Sequence, residues 1–209
     1  MLHPRLRLAI TVLIVVCAGA ILAVVLAVGH AREAPVVTIQ HGFAGALRPA
    51  QVPPKDFVLR DQDGKVASLR AYRGQPVILT FLYSTCQNTC PIIADQIRGA
   101  LDDLGHDPPA LAVSVDPAHD TPDTAKHFLL KHSVYGRMRY LLGTRAELAP
   151  IWKAYGISPQ TGAYEHSAYV LLIGKDGRQR IGFPVSELTP EGLTHDVKVL
   201  QAEQIRSPR

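Results

Sequence analysis

Hydrophobic and polar positions along the 209-residue chain fall into segments with alternating strand and helix patterns. Two apolar runs of strand length, at 76–83 and 109–115, lack the polar alternation of a half-exposed strand. Strands that are apolar on both faces are typical of the centre of a sheet covered by helices on both sides. Residues 91–104 place apolar side chains at helical spacing between these runs, and Gly105 follows as a stop signal. Because a helix crosses between the two runs, we expect the two strands to be parallel.

Further segments continue the alternation. Asp63-Gly64 and the stretch from Lys175 to Gly177 each separate two strand-like segments, which is typical of β-hairpins. The other predicted elements are helices at 120–134, 145–157 and 188–205, and strands at 139–144, 167–173 and 178–183. The first of these helices is expected to be capped by Asp120 or Thr121 and the last by Thr189. This alternation predicts a layered α/β sheet with helices on both faces.

The N-terminal segment has a different pattern. There is no charged residue from Leu8 to Val28, and a helix of this length can span a hydrocarbon core of ~30 Å. Arg5 and Arg7 precede the run, which puts the N-terminus in the cytoplasm and the bulk of the chain outside. The alternative is a cleaved signal peptide, but the apolar cores of signal peptides are shorter, at ~7–15 residues. We predict a membrane anchor at 1–29, an extended tether at 30–51, a folded domain at 52–204 and a tail at 205–209.

Composition limits the chemistry of the folded domain. The net charge is +4, and the basic residues form no stripe, so the sequence predicts no nucleic-acid binding. Of the three cysteines, Cys17 lies inside the N-terminal apolar run. The domain therefore holds only Cys86 and Cys90, which is not the framework of a small disulfide-stapled protein.

Cys86 and Cys90 lie where a predicted buried strand ends and a helix begins. Their spacing lets the two sulfurs converge, and a helix N-terminus stabilises a thiolate. The pair could be a redox dithiol, a soft-metal site or a structural disulfide, although so short a loop would constrain little of the unfolded chain. Asp116 ends the next parallel strand, so we expect it at the same edge of the sheet as Cys86.

His166 stands between a turn-rich loop and the apolar strand at 167–173. If that strand is antiparallel to the central ones, its start lies at the same end of the sheet as Cys86. Two thiolates and an imidazole suit copper, particularly Cu(I), whereas a structural zinc site usually has four protein ligands. The other histidines lie in the tether, in polar loops or on predicted helices, and are interpreted as surface or packing residues.

At these residues the chain resembles the Sco/SenC family, the copper-handling assembly factors of cytochrome c oxidase. The family pattern is Cys-x-x-x-Cys-Pro after a hydrophobic strand, then Val-Asp-Pro-x-x-Asp-Thr-Pro, then a distal His before a Tyr-rich strand. The corresponding stretches here are 86–91, 115–122 and 166–169. The resemblance covers about residues 52–204, and the membrane anchor fits it as well.

The resemblance implies a thioredoxin-like fold with an extra N-terminal β-hairpin, preceded by a single transmembrane helix. It implies that Cys86, Cys90 and His166 bind a copper ion, as Cu(I), Cu(II) or both, and that Asp116 supports the site. The chain would be a metallochaperone of the inner membrane, with its domain in the periplasm, that serves the CuA-bearing subunit of cytochrome c oxidase. A second copper chaperone or a thioredoxin-like reductant would be a further partner.

The alternative function is a thiol–disulfide reductase that keeps the cysteines of the oxidase copper site reduced. Glu165 stands where the family usually has Asp before the histidine, so its carboxylate has a longer reach. No proline adjoins His166, whereas thioredoxin-type oxidoreductases place a cis-proline opposite their dithiol. This difference favours metal binding over general dithiol catalysis. A peroxiredoxin-like peroxidase is supported only by the opening hairpin.

Overall fold

The computed structural model describes residues 4–29, 37–158 and 169–204. The chain divides into two units, Met1–Val36 and Val37–Arg209. In the first unit, helix α1 spans Pro4–Gly29, and its described side chains are those of Arg5 and of residues 10–23. Among the residues whose side chains are described, no helix presents an apolar run that could span a membrane, and the transmembrane helix stays a prediction.

The described part of the second unit is built on one mixed sheet of eight strands, in the order β1-β8-β7-β4-β5-β6-β2-β3. The strands are β1 (Ala46–Leu47), β2 (Val58–Asp61), β3 (Val66–Ser68), β4 (Val77–Leu82), β5 (Ala110–Ser114), β6 (Met138–Leu142), β7 (Tyr169–Ile173) and β8 (Gln179–Pro184). The helices are α2 (Thr89–Leu104), α3 (Pro122–Lys131), α4 (Arg145–Tyr155) and α5 (Pro190–Ala202), with short 3-10 helices at Leu69–Tyr72 and Val185–Glu187.

The strand directions confirm the predicted sheet. β4, β5 and β6 are parallel, because helices α2 and α3 cross between them. β7 is antiparallel to β4, with Val170 opposite Thr80. The start of β7 therefore lies at the carboxyl end of β4, which is the edge from which the cysteine motif leaves the sheet.

The sheet is covered on both faces, as its central strands predict. Every residue of β4 and β5 is buried. Because successive side chains of a strand point to opposite faces, Ile78 and Leu82 pack into one apolar cluster, with α2, α3 and α5. Leu79 and Phe81 pack into the other, with α4.

The predicted hairpins and helix caps are confirmed. Gly64 and Gly177 turn the β2–β3 and β7–β8 hairpins with φ values of 74° and 78°, in the left-handed region that glycine adopts without strain. The hydroxyl of Thr121 accepts the N–H of Thr124 and caps α3. The hydroxyl of Thr189 caps α5.

Residues 40–48 are folded onto the domain, whereas the sequence predicts an extended tether as far as residue 51. β1 pairs with β8, and Phe43 is buried in the core. The backbone N–H groups of Ala44 and Gly45 donate to the buried carboxylate of Asp196 in α5, at 2.8 and 2.9 Å. Much of the contact between this segment and the domain is made by backbone groups. Backbone groups leave no pattern of apolar residues in the sequence, so the segment was not predicted to fold.

Candidate metal centre

Cys86 lies in the loop after β4, and Cys90 lies in the first turn of α2. Asn88, the N-cap residue, gives this helix no side-chain hydrogen bond. The backbone N–H of Cys90 instead donates to Sγ of Cys86, with an N–S distance of 3.3 Å. The sulfur of Cys86 therefore acts as the capping group, at the positive end of the helix dipole.

The two sulfurs differ in access to solvent. Neither sulfur is part of a disulfide in this structure. The exposed fraction of the residue is 8% for Cys86, whereas Cys90 is fully buried. Cys86 is therefore the sulfur that an ion or a partner protein meets first.

The two thiols also differ in their tendency to ionise. The pKa of Cys86 is lowered from its ordinary 9.0 to about 5, chiefly because the thiol of Cys90 donates a hydrogen bond to it. Burial opposes this shift, while the backbone N–H of Cys90 and the side chain of Tyr83 add to it. The pKa of Cys90 is raised, first because its proton is held in the same hydrogen bond and then because of burial. At neutral pH the pair is therefore a thiolate and a thiol that share one proton.

Asp116 lies two residues after the end of β5, at the edge of the sheet that its place in the sequence predicts. Its Oδ2 lies 2.8 Å from Nδ1 of His119. Both side chains line an open cleft of about 940 Å³, together with Tyr83 and Thr85 from the loop that precedes Cys86. Within the described residues, the carboxylate makes no hydrogen bond to either cysteine. Any support that Asp116 gives to the pair is therefore indirect, through the wall of this cleft.

His166 lies outside the described residues, as does Glu165. The described chain resumes at Tyr169, three residues after His166, and the carbonyl of Tyr169 accepts a hydrogen bond from Oγ1 of Thr80 at 3.0 Å. In the described part of the chain, no three His, Cys, Asp or Glu residues form a metal-binding group. Of the predicted ligands, the structure therefore brings together Cys86 and Cys90.

Asp120 is a residue near the pair that the sequence analysis considered only as a helix cap. Its side chain is buried. Oδ1 accepts the backbone N–H of Ser84 at 2.7 Å, and Oδ2 accepts the hydroxyls of Ser114 and Tyr140 at 2.6 and 3.0 Å. Burial raises the pKa of this carboxyl, and the hydrogen bonds that it accepts oppose the increase. The available sequence signal was Ser114, a hydroxyl inside an apolar strand, because a buried hydroxyl needs a partner.

The donor set that the structure brings together fits a soft metal ion. Thiolate sulfur is a preferred ligand of Cu(I), and one of the two sulfurs is already ionised at neutral pH. The same arrangement also suits thiol–disulfide exchange, in which an accessible thiolate attacks and a buried thiol resolves. The geometry of the two sulfurs therefore admits both chemistries.

The chain is similar to proteins of known sequence and structure. The mitochondrial SCO2 homologue of Bos taurus is 27% identical over 145 residues, which cover 63% of this chain and 54% of that protein. The chain thus matches about half the length of the bovine relative. The solved structure of Bradyrhizobium japonicum ScoI with copper bound is 30% identical, with a TM-score of 0.56, and the match covers 70% of this chain and 98% of that chain.

A second solved structure supports the fold. BsSco, a member of the Sco family of cytochrome c oxidase assembly proteins in which a disulfide switch was identified, is 23% identical with a TM-score of 0.65. The match covers 76% of this chain and 99% of BsSco. The predicted α/β fold is therefore confirmed as the fold of Sco structures.

The family match spans most of the second unit. The SCO1/SenC family model matches residues 46–201, from the first residue of β1 almost to the end of α5. Both cysteines of the metal centre, Asp116 and Asp120 all lie inside it. The chain belongs to the SCO1/SenC family.

Proposed function

We propose that this chain is a membrane-anchored copper chaperone that binds one copper ion through Cys86, Cys90 and His166 and delivers it to the CuA centre of cytochrome c oxidase. The observation that carries the proposal is the contact between the N–H of Cys90 and Sγ of Cys86 at the start of α2. It holds two sulfurs together at a helix N-terminus, with one of them ionised. The copper bound in the related ScoI supports copper as the ion.

Copper would enter this site by replacing a proton. In the free protein the thiolate of Cys86 accepts the thiol hydrogen of Cys90. When Cu(I) binds both sulfurs, it takes the place of that hydrogen, and one proton leaves to solvent. Three protein ligands leave the ion accessible, so the thiolates of an acceptor can displace these sulfurs one at a time. After transfer, Cys90 regains its proton.

The location and the partner have separate support. The uncharged run from Leu8 to Val28 behind Arg5 and Arg7 supports an inner-membrane anchor with the domain in the periplasm. The description of BsSco as a member of a family of cytochrome c oxidase assembly proteins supports the oxidase as the partner. His166 precedes β7 by three residues, which supports it as the third ligand because β7 starts at the carboxyl end of β4.

A Cu(I) titration of the reduced, full-length chain in competition with a chromophoric Cu(I) chelator tests this proposal. The parent should bind one ion, and Cys86→Ser, Cys90→Ser and His166→Ala should each weaken binding. Cys17→Ser and His127→Ala are matched controls, because they remove an exposed thiol and an exposed imidazole elsewhere. Binding by Cys86→Ser or His166→Ala that equals the parent would refute the ligand assignment.

Delivery needs its own measurement. The copper-loaded chain is mixed with an isolated CuA-bearing domain whose cysteines are reduced, the two proteins are separated at intervals, and the copper in the acceptor is measured. Loading should be faster than with the same amount of chelator-bound copper. Equal rates would show that the chain does not deliver copper to this acceptor.

The second candidate function is a thiol–disulfide reductase, favoured by the unequal ionisation of the two cysteines. The Cys86 thiolate attacks an acceptor disulfide and releases one acceptor thiolate, and Cys90 then displaces the second as it loses its proton. The acceptor gains two electrons, this pair becomes a disulfide, and a thioredoxin-like reductant restores it. A His166→Ala variant that still reduces an oxidised acceptor peptide but no longer holds copper would assign this function to the pair.

A further inference from the structure

The carboxylate of Asp120 joins three segments that meet near the cysteine pair. Its three hydrogen bonds come from the loop before Cys86, from the end of β5 and from β6, through Ser84, Ser114 and Tyr140. All three partners are donors. The side chain therefore acts as an acceptor toward every one of these segments, as an ionised carboxylate does.

One of these bonds holds the turn that presents Cys86. The N–H of Cys86 donates to the carbonyl of Tyr83 at 3.2 Å, so residues 83–86 form a turn with Ser84 inside it. The N–H of Ser84 points away from this turn to Oδ1 of Asp120, at 2.7 Å. The direction of the Cys86 side chain depends on this turn, and its sulfur must lie within reach of the N–H of Cys90.

The carboxylate is itself held in place. The N–H of Asp120 donates to the carbonyl of Asp116 at 2.9 Å. Oγ of Ser114 accepts the N–H of Asp116 at 3.2 Å, which leaves its own hydrogen for Asp120. Tyr140 is fully buried, and Thr121, the next residue, caps α3. The turn before Cys86 is thus fixed to a rigid part of the sheet.

We propose that Asp120 is a positioning residue of the metal centre: it fixes the turn at 83–86 so that the sulfur of Cys86 is placed for metal binding before the metal arrives. Groups outside the ligand set that orient ligands in this way commonly change metal affinity 10–100-fold when they are removed. The effect on copper rests on the function proposed above, whereas the fixed turn can be measured without metal.

The metal-free test is amide hydrogen exchange in the reduced, full-length chain. Asp120→Ala should speed exchange at Ser84 by about tenfold or more, relative to a core amide such as that of Leu79, because the amide loses its acceptor. Asp120→Asn should restore much of the protection, because a carboxamide oxygen can accept the same bond. Unchanged exchange at Ser84 in Asp120→Ala would overturn the inference. If Asp120→Ala does not fold, Ser114→Ala is used instead, because it removes one of the bonds that hold the Asp120 carboxylate. Parent-like exchange at the Ser84 amide in Ser114→Ala would then overturn the inference.

The second test is the Kd for Cu(I), measured by chelator competition. Asp120→Ala should weaken binding by about 10–100-fold, and Asp120→Asn should recover most of the loss. Asp123→Ala is the matched control, because it removes an exposed carboxylate from the first turn of the adjacent helix, and it should bind as the parent does. Equal losses in the Ala and Asn variants of Asp120 would assign the effect to charge and overturn a positioning role. A parent chain that binds no copper would refute the proposed function and leave the exchange result to decide the inference.

Discussion

The hydrogen bond from the Cys90 thiol should control the pKa of Cys86, and removing one sulfur atom tests this. Cys90→Ala deletes the thiol that is the largest cause of the low pKa of Cys86. The backbone N–H of residue 90 remains, 3.3 Å from the sulfur of Cys86. The variant therefore separates the effect of the thiol donor on the pKa of Cys86 from the effect of the helix N-terminus.

The size of the effect follows from the pKa. A decrease from 9.0 to about 5 corresponds to about 5 kcal/mol in favour of the thiolate, at about 1.4 kcal/mol per pKa unit. Because the Cys90 thiol is the largest cause of this decrease, the pKa of Cys86 should rise in Cys90→Ala. The backbone donors of residues 88 and 90 remain in the variant and limit this increase, whereas burial of the sulfur adds to it.

The same shift makes stability depend on pH. A group whose pKa is lower in the folded state adds stability that is fully present above its unfolded pKa and is lost as the pH falls through its folded pKa. For Cys86 the window runs from about pH 9 down to about pH 5. At pH 7 the contribution is about 3 kcal/mol, and Cys90→Ala should reduce this pH dependence.

The assay is the ultraviolet absorbance of the thiolate as a function of pH, in a Cys17→Ala background so that only the pair contributes. Cys86→Ser should lose the absorbance step near pH 5, which assigns that step to Cys86. Cys90→Ser, whose hydroxyl can still donate, should shift the step less than Cys90→Ala does. If the absorbance step of Cys90→Ala occurs at the same pH as that of the parent, the thiol of Cys90 does not stabilise the Cys86 thiolate.

Three further predictions concern stability. Asp196→Ala should lower the free energy of unfolding by about 3 kcal/mol in urea denaturation, because it leaves the N–H groups of Ala44 and Gly45 without their acceptor; a loss under about 1 kcal/mol would contradict this. Tyr140→Phe should lower it by about 1–2 kcal/mol in the same assay, because one hydrogen bond to a buried carboxylate is lost, and parent-like stability would show that this bond contributes nothing. Cu(I) should raise the thermal midpoint of the reduced chain and leave that of the chain with an oxidised cysteine pair unchanged; equal shifts would place the copper elsewhere.

The parts of the fold that could be predicted are those with a local signature. β4 and β5 were identifiable because burial on both faces admits few polar residues. The hairpin at Asp63-Gly64 was identifiable because a tight turn needs a residue that tolerates positive φ. The sequence did not determine whether β7 runs parallel or antiparallel to β4. The two strands pair through backbone groups, which any residue supplies.

The Asp120 network was missed for the same physical reason. Its partners Ser114, Tyr140 and Ser84 are 6, 20 and 36 residues away in the chain. An aspartate before a helix is equally typical of an N-cap, and the cap is made by Thr121. The choice between the two roles depends on which groups the folded sheet places beside the side chain.

The sequence by itself determined the order of strands and helices from β2 onward, the junction that carries Cys86 and Cys90, and the family. These depend on residue types at short spacing, which burial and backbone geometry constrain directly. The tertiary structure decided that the sulfur of Cys86 caps α2 and is the ionised one of the pair, and that Asp120 holds the turn before it. The contact of Asp120 with Ser84 joins groups that are remote in the chain, and the contact of Cys86 with Cys90 depends on how the loop between β4 and α2 folds. Packing sets both distances.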